Sequence, residues 1–206
     1  MKRGIFGGCA LALIVALTPS AAATLTFNLS QEFSGGTPPA GPGPWLRAEF
    51  NDVSGGVRLT LTGFLRPNEF VTTWTFNLDP SFAPNSLKFA RLSGPSATVL
   101  TGVNAFTAGG SGLYDVNFRF PSGPPAQRFN GADVSTYLIT STKPISAAAF
   151  DFLSLPHGGH GPFKTAAHVQ GIGPCDQSGW VTVPEPSALT GLALAAGLLA
   201  ARRRVM

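Results

Sequence analysis

The chain predicts an all-β fold, a single β-sandwich of jelly-roll type, and three observations carry that reading. Apolar and polar residues alternate with a period of two through most of the central region. Glycine and proline clusters break the alternation every ~10–15 residues, as turns between short strands do. No stretch long enough for a globular helix carries an amphipathic helical pattern.

The elements follow in order. Residues 24–30 alternate Leu25, Phe27 and Leu29 with polar positions. A Gly/Pro loop over 35–44 leads to a strand over 45–51. Ser54-Gly55-Gly56 is a tight turn, and residues 57–64 alternate Val57, Leu59 and Leu61 against Arg58, Thr60 and Thr62, which predicts a β-hairpin. Residues 70–78 are rich in Val, Thr, Trp and Phe and read as a strand ended by Asp79-Pro80. A strand over 86–92 has Leu87, Phe89 and Arg91 on one side. After a glycine turn over 109–112, residues 113–120 set Tyr114, Val116, Phe118 and Phe120 against Leu113, Asp115, Asn117 and Arg119. Residues 134–141, 145–153, 163–170 and 179–183 read as the remaining strands.

Both ends differ from this body. Lys2 and Arg3 precede an apolar run over 5–17, and Ala21-Ala22-Ala23 supplies a small-residue cleavage site. That is a secretory signal peptide over 1–23, with Thr24 as the mature N-terminus. Cys9 lies early in the apolar run, whereas a lipoprotein cysteine would end it. Residues 24–182 form one domain, roughly 160 residues, enough for a single core.

The formal charge of +4 comes from the ends. Five of the 14 basic residues and one of the 10 acidic residues lie there, leaving nine of each in the body. A near-neutral body offers no electrostatic footprint for nucleic acid. Cys9 leaves with the signal, so Cys175 has no intrachain partner and is a free thiol or an intermolecular link.

Residues 183–206 hold three parts in order. Val183-Pro184-Glu185-Pro186 is an extended motif, since proline restricts its own backbone and that of its neighbour. An apolar run over 187–201 follows, roughly 22 Å long as a helix and so a short transmembrane segment, marginal against a bilayer core of about 30 Å. Arg202, Arg203 and Arg204 hold the far end in the cytoplasm and leave the body outside the inner membrane. This arrangement resembles the PEP-CTERM sorting signal that exosortases process in Gram-negative bacteria that make exopolysaccharide. Asn68-Glu69-Phe70, residues 74–80, residues 167–171 and Ser178-Gly179-Trp180 also resemble one recurring group of such proteins. That group has no activity to transfer.

The resemblance implies signal peptidase and the secretion machinery as early partners, then transient anchoring in the inner membrane. Exosortase would cut near Pro184-Glu185-Pro186, and the product would reach the outer surface or the exopolysaccharide matrix of a biofilm. The expected role is that of a non-enzymatic matrix or envelope component. A carbohydrate-binding module is the first alternative, and a secreted metal- or carboxylate-dependent hydrolase the second.

The residues bear on those alternatives as follows. His157 and His160 share a glycine-rich loop, and His168 lies on a strand, a weak metal set with no carboxylate between its members. Glu49 and Asp115 lie on strands, and no pair of carboxylates is placed by sequence at glycosidase spacing. Asp79, Asp133 and Asp176 sit in turns, where Asp caps the backbone; structural calcium is the one cofactor they suggest, though no Asp-rich calcium loop occurs. Of Trp45, Trp74 and Trp180, Trp74 reads as core. Trp45, beside the Gly/Pro loop, is the expected exposed ring for ligand contact.

Overall fold

The computed structural model describes residues 23–184. Its strands are β1 (Thr24–Leu29), β2 (Gln31–Glu32), β3 (Leu46–Val53), β4 (Gly56–Gly63), β5 (Phe70–Phe76) and β6 (Lys88–Ser93). They continue as β7 (Thr98–Ala108), β8 (Ser111–Arg119), β9 (Phe129–Asn130), β10 (Val134–Thr140), β11 (Thr165–Ile172) and β12 (Gln177–Thr182). Among the described residues they form two sheets, ordered β1-β3-β4-β10-β6 and β2-β12-β11-β5-β8-β7, with β9 added to β5. The sheets pack face to face as a β-sandwich.

The expected hairpin is present: β3 and β4 pair from Leu46↔Gly63 to Val53↔Gly56 around Ser54-Gly55. A second hairpin joins β7 to β8. Its turn needs positive φ at both central residues, and Gly109 (+57°) and Gly110 (+74°) supply them between Ala108 and Ser111.

Alternation places one side chain in two between the sheets, and there the aromatics meet. Phe50 of β3 stacks on Phe150 at 4.4 Å and meets Phe76 of β5 edge-on at 5.3 Å. Phe118 of β8 meets Tyr137 of β10 at 5.1 Å. Such pairs contribute about 0.5–1.5 kcal/mol each beyond the area they bury. The Trp74 indole donates its N–H to Thr165 Oγ1 at 3.0 Å, so this large core residue leaves no unpaired donor.

The structure corrects three expectations. Residues 145–153 form no strand; Ala147–Phe150 is a short 3₁₀ turn that buries Ala147, Ala149 and Phe150. The Asp52 carboxylate accepts the Ala147 N–H at 2.6 Å and starts the turn. Strand β7 was not foreseen. Its register shifts between Thr101 and Phe106, which destroys the alternation that would have revealed it. Trp45 is buried rather than exposed, at 8 %. Its indole donates to Gly41 O at 3.0 Å, and its backbone bonds to Leu29 O and Phe64 N pin it across two strands.

Candidate functional site

The sorting motif begins where the sandwich ends. Strand β12 stops at Thr182, Val183 is half-buried, and Pro184 is exposed. Glu185, Pro186, Arg202, Arg203 and Arg204 lie outside the described residues, as do the apolar run over 187–201 and residues 1–22 with Ala21. Among the described residues no helix is long and apolar enough to cross a membrane. At the other end, the Ala23 carbonyl accepts the Asp52 N–H at 3.1 Å. Thr24 opens β1, and its hydroxyl bonds Asn51 Oδ1 at 2.7 Å.

Val183 and Pro184 form part of a groove of about 350 Å³, completed chiefly by Leu25 and Phe27 of β1, Leu153 and Phe163. The lining is mostly apolar; its charged members, Asp151 and Lys164, form an ion pair with each other. Leu153 is shared with a second groove of about 290 Å³ that also takes in Leu78, Phe82, Val103 and Leu155. Leu153 (56 %), Leu155 (51 %) and Val103 (71 %) are three of the large apolar side chains that stand exposed on the described surface.

This exposure is built in. Leu155 and Leu113 exchange both backbone hydrogen bonds, at 3.1 and 2.9 Å, and Gly112 donates to His157 O at 2.8 Å. Ser154 donates its N–H to Phe163 O and accepts the Phe163 N–H on Oγ at 3.1 Å. Gly112 permits the close approach: its φ is +64°, and a Cβ there would stand 2.6 Å from Ser154 Oγ. Residues 152–157 are thus fixed against the start of β8, with their leucines turned outward.

The carboxylates mostly hold backbone. Both oxygens of Asp115 accept amides, from Leu78 at 3.0 Å and Asn104 at 2.8 Å. Buried Glu69 accepts Ala40 and Arg66 amides at 2.8 and 2.9 Å. Asp79 and Asp133 accept turn amides from Ser81 and Asn130. Partial burial pushes the Glu32 carboxyl up, but bonds from the Ser34 hydroxyl and the Ser34 and Gly36 amides outweigh it and hold the group below its usual range. These carboxylates act as acceptors for fixed N–H groups and brace the loops that donate to them.

The histidines are divided. His157 and His160 are exposed in their loop, while His168 on β11 stacks on Trp180 of β12 at 4.8 Å and bonds Thr72 Oγ1 through Nδ1 at 3.0 Å. Burial pushes the His168 imidazole down from its usual range and keeps it neutral. Among the described residues no three His, Cys, Asp or Glu side chains converge as a metal set. Cys175 is exposed, its neighbour Asp176 has a positive φ, and neither lies in a groove described above.

Sequence reasoning missed the apolar face. Its members come from the β7 bulge, the 3₁₀ turn region and the root of the tail, three segments distant along the chain. The available signal was the pair Leu153 and Leu155, one residue apart and separated by a serine, in a segment flanked by Pro156. Comparison with protein-family models, curated proteins and solved structures finds no match to this chain.

Proposed function

We propose that this is an exported, exosortase-processed protein whose β-sandwich serves as a non-enzymatic component of the cell envelope or exopolysaccharide matrix. The observation that carries the proposal is the terminal order of Pro184-Glu185-Pro186, apolar run and Arg202-Arg203-Arg204. The geometry at the root of the tail supports it. Pro184 is exposed two residues past the last strand, so a protease would reach the start of the motif without unfolding the domain. Removal of a signal up to Ala23 would leave Thr24, and with it all of β1, in the mature chain. Within this reading the jelly-roll assignment rests on a chain that crosses between the sheets at β1–β2, β2–β3, β4–β5, β5–β6, β6–β7, β9–β10 and β10–β11.

Intact-mass measurement of the protein from an exosortase-positive host and its exosortase-null derivative tests the proposal. The expected product ends near Pro184 or Glu185 only where the enzyme is present. A chain that retains Ala188–Met206 in both strains overturns it.

One observation favours a second reading, carbohydrate binding. Of the three tryptophans, Trp45 and Trp74 are buried and Trp180 is partly exposed, so Trp180 is the one with area left for a ligand. A glycan-array signal abolished by Trp180→Ala would favour that reading over a purely structural role.

A further inference from the structure

The apolar face at the root of the tail has a geometric relation to the apolar run that follows it. Pro184 lines the first groove, and only Glu185 and Pro186 separate it from Ser187, where the apolar run starts. Three residue steps span at most about 10–11 Å of extended chain. If the run is embedded in a bilayer, the groove therefore lies within reach of the headgroup layer. We propose that this face, centred on Leu153, Leu155 and Val103, rests on the membrane surface while the protein is anchored. The inference rests on the sorting reading and extends it by naming a lipid surface as the partner of the face.

Three features favour lipid over the alternatives. First, the face is continuous with the point where the chain leaves the domain: Leu153 lines both the groove that contains Pro184 and the groove that contains Leu155 and Val103. Second, the two carboxylates that line it already have partners. Asp115 holds two amides, and Asp151 pairs with Lys164. Each keeps its bonded partner when the face lies against an interface. Third, the segment that carries Leu153 and Leu155 is fixed by bonds of Ser154 to Phe163 and of Leu155 to Leu113, so the ordering cost of presenting them is met in the folded domain.

Seated in this way, the sandwich places Pro184 at the interface in a fixed orientation. An exosortase embedded in the membrane would meet the Pro-Glu-Pro segment at its own depth. After cutting, the same face would separate from the bilayer with the released domain.

The test uses the full chain with Cys9→Ala and Cys175→Ser, reconstituted in phosphatidylethanolamine–phosphatidylglycerol vesicles with or without brominated acyl chains. An environment-sensitive fluorophore is attached in turn at Leu155→Cys, at Leu192→Cys in the apolar run, and at Ser122→Cys in the exposed loop after β8. The expected result is blue-shifted, bromolipid-quenched emission at 155 and 192, with neither effect at 122. Quenching at 192 without quenching at 155 overturns the membrane-contact inference and leaves the anchor intact. An unquenched probe at 192 overturns the anchoring on which the sorting reading depends, and the inference with it. A probe at 155 that is shielded only as protein density rises, without quenching, assigns the face to a second copy and also overturns the inference. Both labelled positions outside the tail, Leu155 and Ser122, are exposed, so the substitutions leave the core intact.

Discussion

Between the sheets, Trp74, Phe76 and Phe118 are buried to 1 % exposure or less, whereas at the root of the tail Leu153, Leu155 and Val103 are all more than half exposed. Both regions are apolar, and both are held by dense backbone hydrogen bonding. They differ in what lies opposite. Phe76 and Phe118 meet rings of the other sheet, Phe50 and Tyr137, and Trp74 packs on Phe76 and Phe129, so their apolar area is consumed in folding. The leucines at the tail end line open grooves and keep more than half of their area in water, so that area remains for a contact made after folding. Burial between sheets thus identifies residues that specify the fold, and fixed exposure identifies residues that the fold leaves to another surface.

The largest effect that would sharpen this contrast is in the core. Trp74→Ala removes a fully buried indole and its bond to Thr165 Oγ1. The expected cost is about 3–5 kcal/mol, a large share of the total for a domain of this size. Urea unfolding followed by circular dichroism measures it. A loss below about 1 kcal/mol would mean that the inter-sheet aromatics do not carry the stability assigned to them.

The core was also the region most legible in the sequence, for a physical reason. Strands β3 and β4 alternate through most of their length, so residue type reports the face directly. Legibility ends where that rule fails. The β7 bulge shifts register between Thr101 and Phe106, and Asn104 takes a positive φ there. Phe150 fits a buried strand or a 3₁₀ turn equally by type; the Asp52 carboxylate, distant in sequence, decides between them. Trp45 looked exposed because a Gly/Pro loop precedes it, yet that loop folds back so that Gly41 O meets the indole. The proposed sorting motif was legible because it is an order of residue types along the chain and needs no tertiary context. The face beside it was not, because it exists only once three separate segments are brought together.

A smaller effect lies in a second cluster, where Phe33, Ala108, Phe163 and Ala166 surround Tyr114. The Tyr114 hydroxyl is buried without a hydrogen-bond partner, although the Ser154 hydroxyl, which accepts the Phe163 amide, lies near it. Burial pushes the phenol well above its usual range, and the proximity of Ser154 offsets this only slightly. Tyr114→Phe removes the orphaned group and is expected to stabilise the domain by ~1 kcal/mol at neutral pH. The sign of the pH dependence follows from the raised value. The folded state disfavours the phenolate, so the associated stability is intact below the ordinary tyrosine range near ~10 and is lost as pH rises beyond it. The advantage of the Phe variant should therefore widen in alkali. Denaturation midpoints at neutral and alkaline pH measure it, and a variant less stable than the parent at both would mean that the hydroxyl has a partner in solution.

The smallest effect on stability belongs to the tail-end face, and its smallness is the point. Leu153→Ser with Leu155→Ser replaces side chains that are already more than half in water. The backbone bonds that fix this segment, Leu155 with Leu113 and Ser154 with Phe163, do not use either leucine side chain. The double variant should therefore unfold within about 0.5 kcal/mol of the parent. A loss several times larger, measured by the same urea titration that reports Trp74→Ala, would place the leucines in the core after all and erase the distinction between the two regions. With the stability unchanged, any change in vesicle contact or in the rate of exosortase cutting belongs to the face itself, because the same fold would be presenting the same Pro-Glu-Pro segment from a surface that no longer favours lipid.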